Sequence, residues 1–230
     1  KLNLETNNRL GTAASMIFIG LTLWQHGNLA ECRPYVMQAQ DLAFELVDYS
    51  TQAWVFVQQG FMDIVSSKHD AAEASLLQAE TIETDPFNQT GAGNPFLLLH
   101  LAFAKAYLDC TKEKYSAVKP QLIQPLNMTL ATNAHPYMIY GLALNVILFA
   151  VEKKADDAVA LLGLIDQSPL AFRGWMEHWV LLNQVREELA TKLGATAFKA
   201  AYTRGTTLNF RATTEKVLHE IEAEYKQQTT

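Results

Sequence analysis

The sequence is short of charge. Lys, Arg, Asp and Glu make up 18% of its 230 residues, where about 25% is usual in a globular domain. Some surface that would ordinarily carry charge must therefore be covered. Turn formers are scarce as well: eleven Gly and seven Pro exclude a collagen-like repeat and favour long regular elements joined by few connections. The two cysteines, Cys32 and Cys110, lie far apart without a CxxC partner. That excludes a disulfide scaffold and reads as two buried thiols in a reducing, cytoplasmic setting. A hydrophobic share of 49% excludes a disordered chain. The longest apolar run, Met138 to Val151, has 14 residues and contains Gly141 and Asn145, too short for a bilayer span and right for a buried helix.

Basic charge is also in deficit. The net charge is −6 and the pI about 5.5, a field that repels nucleic acid and anionic membranes alike. Before Tyr115 there are 7 basic and 13 acidic residues, after it 11 of each, so the first half carries the whole excess. The chain begins at Lys1 without Met or a signal-peptide layout, which reads as a piece of a longer protein.

Chemical motifs are missing too. No His-Glu-x-x-His and no Gly-x-x-x-x-Gly-Lys-Ser/Thr occurs. His69 and Glu73 share a helical face without a third ligand, which reads as a solvated helix start. Asp156-Asp157 suits a helix N-terminus. His100, His135 and His178 sit in apolar or aromatic stretches with no nucleophile or carboxylate partner to name. Gly91-Ala-Gly93 is too short to cradle a phosphate, and the sequons at Asn88 and Asn127 are patterns that arise by chance. No cofactor, metal or catalytic residue is expected.

What is present is helical periodicity almost throughout, with breaks at Gly27-Asn28, His69-Asp70, Thr84 to Pro95, Thr111-Lys112, Pro125 to Pro136, Lys153-Lys154 and Ser168-Pro169. The intervening helices pair, and the pairs repeat. Gly20, Gly27, Cys32, Val36 and Ala39 recur as Gly60, Ser67, Ala72, Leu76 and Ala79 at identical offsets. Looser copies run Lys105, Lys112, Ala117, Gln121, Gln124 and Val146, Lys153, Ala158, Leu162, Ile165. Antiparallel helices approach closely where one offers a small residue and the other a knob, and pairs that cannot bury both faces alone must stack. The expected fold is all-α: about four helical hairpins over 1–168, then capping helices over 169–230, beginning with a long helix from Phe172 to Leu193. A generic α-bundle is the alternative.

The small-residue pattern resembles the tetratricopeptide repeat. The tail, Leu193-Gly194-Ala-Thr-Ala-Phe198 followed by Tyr202, Gly205 and Leu208, resembles the end of that region in bacterial multidomain signal-transduction ATPases and LuxR-type, maltose-regulator-like activators. Tyr202 stands where relatives often carry Trp, and neither their nucleotide loop nor their helix-turn-helix is present. The resemblance implies a right-handed array whose first helices line a concave groove. It places Ile17, Leu21, Trp24, Trp54, Val57, Phe61, Leu99, Tyr140 and Ile147 on that apolar face, with Ala102 beside them.

Such a groove must be filled or used. Either the tail, with Trp175 and Trp179, folds back over it, or it receives a partner helix or another domain of the parent protein. The functional expectation is a non-catalytic module that recognises a protein or effector in a signalling or transcriptional regulatory protein, with self-association a further possibility. An α-bundle enzyme, or a binder of an apolar small molecule, is the competing class. Two charge-poor stretches, Pro86 to Ala104 with none and Tyr115 to Val151 with Lys119 alone, point to helices covered on all sides or to an exposed apolar patch.

Overall fold

A computed structural model describes residues 8–85 and 94–229, with the side chains of 170, 171, 228 and 229 left aside. The sequon at Asn88, Gly91-Ala-Gly93 and part of the uncharged stretch from Pro86 lie outside the described residues. The fold is all-α, with no strand among the described residues. The helices are α1 (Arg9–Gln25), α2 (Leu29–Glu45), α3 (Tyr49–Val65), α4 (His69–Thr84), α5 (Pro95–Thr111), α6 (Tyr115–Thr132), α7 (His135–Val151), α8 (Ala155–Ile165), α9 (Leu170–Arg173), α10 (Val180–Gly205) and α11 (Phe210–Thr229). A 3₁₀ turn, Gly174–His178, separates α9 from α10. The chain divides into two compact units, 1–105 and 106–230, with the dividing point inside α5.

One turn is used six times. Gly27, Val47, Ser67, Glu113, Asn133 and Lys153 all have φ between 52° and 81°. In each case the helix end is closed by the paired backbone bonds of a Schellman motif, for example Asn28 N to Leu23 O with Gly27 N to Trp24 O, and Lys154 N to Phe149 O with Lys153 N to Ala150 O. The left-handed residues fall every 20 positions at 27, 47 and 67 and again at 113, 133 and 153. One helix plus its turn is therefore the unit of length, and a hairpin takes 40 residues.

The packing repeats with the turns. A Cβ on Gly20 would stand 3.0 Å from Val36, and one on Gly60 2.5 Å from Leu76, so each small residue meets the knob sixteen positions on. Aligning Glu113 with Gly27 puts Ala106, Val118 and Leu122, all fully buried, in those roles for the third hairpin. This corrects the expected register there by one residue: Glu113, and not Lys112, takes the left-handed conformation. Pro120 and Pro125 do not end α6, which runs on to Thr132 and stops at left-handed Asn133.

In the first unit α1 pairs with α2 and α3 with α4, while α2 and α1 also pack on α3. Gln58 Nε2 donates to Ile17 O (3.0 Å), Gln52 Nε2 to Ala43 O (3.0 Å), and Cys32 lies 3.7 Å from the Met62 sulfur. Both cysteines are free and buried. Burial pushes the Cys32 thiol up to about 11 and the Cys110 thiol up to about 12, so neither is a ready nucleophile.

In the second unit α7 is enclosed by α6, α8, α9, α10 and α11, and every residue from Tyr137 to Phe149 is buried. That burial explains the absence of charge from Tyr137 to Phe149. Lys119 joins Glu152 of the α7 end to Glu224 of α11. Phe172 to Leu193 is not one helix: α9, the 3₁₀ turn and extended Trp179 precede Val180. Gly194, at φ 71° and ψ 163°, divides α10 into two helical segments, a conformation open only to glycine. Beyond it the backbones of α8 and α10 touch. A Cβ on Gly163 would lie 2.2 Å from Tyr202 O, and one on Gly205 2.0 Å from Ala160 O.

Candidate functional site

Among the described residues no three His, Cys, Asp or Glu side chains are grouped to hold a metal ion, and no helix is long and apolar enough to cross a membrane. The nine side chains expected to line an apolar groove are nearly all enclosed. Ile17, Trp24, Val57, Phe61, Leu99, Tyr140 and Ile147 are buried, and only Leu21 and Trp54 are half-buried.

In the first unit Trp24 packs on Phe61 at 5.6 Å between ring centroids, and His100 of α5 stands edge-on to Trp54 at 4.9 Å and to Phe61 at 6.3 Å. In the second unit the layer is closed by the tail. Trp175 meets Tyr107 and Tyr140, each at 5.2 Å, and Trp179 meets Tyr107 at 4.5 Å. Tyr107 also donates its hydroxyl to Tyr140 O at 2.8 Å. Tyr140 is thus covered by the chain's own C-terminal segment.

His100 is a titratable group that these layers perturb within the physiological range of pH. Its Nδ1 lies 3.0 Å from Phe96 O, and full burial lowers its pKa from 6.5 to about 4, so it is neutral at physiological pH. An unfolded histidine takes its proton near pH 6.5, whereas the folded one resists until about pH 4. Stability is therefore complete above pH 6.5 and lost as pH falls through that window. By linkage the loss is about 2 kcal/mol by pH 5. Denaturant midpoints at pH 7.5 and 5 should show it in the wild type, and a His100→Gln variant should lack that part of the slope.

What the sequence reading missed is on the outside. Of the fifteen exposed large hydrophobic side chains among the described residues, eleven lie in the first unit. On α1, Phe18 is 64% exposed, with Leu10 and Ile19 also open. Gly11, Ser15, Phe18 and Thr22 share one face, at steps of four, three and four residues. A signal was available: residues 10–30 carry no Asp, Glu, Lys or Arg, a longer uncharged stretch than Pro86 to Ala104.

The 40-residue period says what this face is. Forty positions on stand Thr51, Val55, Gln58 and Met62 of α3, all buried, and the last two reach the first hairpin at Ile17 O and Cys32. Helix α1 therefore shows to solvent, at Phe18 and Thr22, the positions that α3 seats on a preceding hairpin through Gln58 and Met62. Comparison with protein-family models, curated proteins and solved structures finds no match to this chain.

Proposed function

We propose that the chain is a non-catalytic, tetratricopeptide-like recognition module of a cytoplasmic bacterial signalling or transcriptional regulatory protein, and that it binds protein through the outer face of α1. One observation carries this reading: α1 exposes uncharged Phe18 and Thr22 in the register by which Gln58 and Met62 of α3 dock on a helical hairpin. The partner that fits is a helical hairpin whose second helix offers small residues, as α2 offers Cys32 and Ala39 to its neighbours. Such a partner, or another domain of the parent protein, would extend the existing packing without new chemistry. Recognition by the apolar layers themselves is limited to Leu21 and Trp54, since the other seven residues are buried.

The test is a selection of displayed helical hairpins on the full chain, counter-selected on Phe18→Asp. Because Phe18 is mostly exposed, the variant should keep its stability to within about 0.5 kcal/mol. The selected hairpins should bind it about thirtyfold more weakly or worse, as a central aromatic anchor requires. Binders that hold wild type and variant equally would place recognition elsewhere.

A further inference from the structure

The second unit contains a polar cleft of about 420 Å³ lined by Asp166, Arg173, Met176, Glu177, Asn183, Arg186 and Tyr202. Its volume lies within the range of small-molecule sites. Asp166, the C-cap of α8, organises it. Arg186 grips the Asp166 carboxylate with two bonds of 3.1 and 3.3 Å, and the Tyr202 hydroxyl donates to it at 2.9 Å. The Asp166 side chain is only 13% exposed. Three donors on two oxygens leave this carboxylate little capacity for a further cation.

A second guanidinium is nevertheless present. Arg173 donates Nε to Ser168 O at 3.1 Å, which fixes its plane. Its Nη1 stands 3.7 Å from Asp166, beyond hydrogen-bond length, and its Nη groups make no other hydrogen bond among the described residues. Arg186 lines the cleft as well, but its Nε is buried and closed to solvent, so its part is to hold Asp166 and add positive charge beside Arg173. The cleft thus holds two arginines and one committed carboxylate. Glu177 lies at its edge, exposed and so screened by solvent.

We propose that this cleft binds a small oxyanion-bearing metabolite, its phosphate or carboxylate head held by the Nη donors of Arg173 beside Arg186. The inference is independent of the α1 face and would make the module sensitive to an effector. Guanidinium groups recognise both head types by paired N–H donors, so the experiment separates them. The intact chain is titrated calorimetrically at low ionic strength with pyrophosphate and, in a parallel arm, with citrate. Saturable binding is expected in at least one arm, and the arm that saturates names the head group.

Arg173→Gln should weaken binding about tenfold or more, the loss of one charge-assisted contact, and leave Asp166 held by Arg186 and Tyr202. Arg204→Gln, which removes an exposed arginine paired with Asp157, should leave binding unchanged. In the wild type, where no variant has to fold, the Arg173 Nε–Hε nuclear resonance should shift on titration. Absence of saturable heat in both arms, equal weakening by the two Arg→Gln variants, or a static Arg173 resonance would each overturn the proposal.

Discussion

Trp175→Ala is expected to destabilise the second unit by about 4 kcal/mol, among the largest effects a single truncation produces. The indole is fully buried and in ring contact with Tyr107, Tyr140 and Trp179. Removing it opens a cavity between three aromatic groups that cannot collapse onto one another, because Tyr107 is tied to Tyr140 O and Trp179 begins α10. Trp175→Phe keeps most of the apolar volume and should cost less than half as much. The measurement is urea unfolding followed by near-UV circular dichroism. A loss below about 1 kcal/mol for the alanine variant would show that the C-terminal segment does not complete this core.

Gly205→Ala is the second large effect, at about 3 kcal/mol. The added methyl would lie 2.0 Å from Ala160 O and 2.9 Å from Ala160 Cα, so it meets backbone. Neither helix can yield without shifting as a whole. Gly60→Ala is the contrasting case. There the methyl meets the Leu76 side chain at 2.5 Å, which can rotate, and alanine's better helix propensity returns about 0.5–1 kcal/mol. Thermal midpoints of the two variants should therefore differ widely although both place a methyl inside a helix contact. Equal midpoints would mean that the α8 and α10 backbones are not in contact.

The two glycines also show how the sequence and the fold correspond. Gly60 and Gly20 were legible because they recur at a fixed offset from Ala72 and Cys32, and Gly205 because it falls within the tail pattern that runs from Leu193-Gly194 to Leu208. The turn at Val47 was not legible, since a β-branched residue gives no sign of a left-handed φ of 54°. The same cause displaced the third hairpin by one residue: Lys112-Glu113-Lys114 is uniform in polarity, and nothing in it marks Glu113 as the turn. Pro125 suggested a break that α6 does not make, because a Pro residue removes one backbone donor and the rest of the helix is held by packing of Val118, Leu122 and Leu126.

Of the candidate site, periodicity found the apolar layers, since Trp24, Phe61 and Tyr140 lie where helical spacing puts them. It could not show that these layers are closed from within, by His100 over Trp54 and Trp175 over Tyr140. Those contacts join residues distant in sequence, and no local pattern encodes them. The bidentate bond of Arg186 to Asp166 likewise depends on how α8 meets α10. The low charge that opens the sequence therefore has two different causes. In α7 it reflects complete burial, and in α1 it marks a face left open.

The direct measurement of that open face is amide hydrogen exchange on the full chain, alone and saturated with a hairpin selected on it. The account predicts added protection over residues 9–25, centred on Phe18, and none added over α7, which is already buried. Protection confined to other helices, with residues 9–25 exchanging as in the free chain, would contradict it.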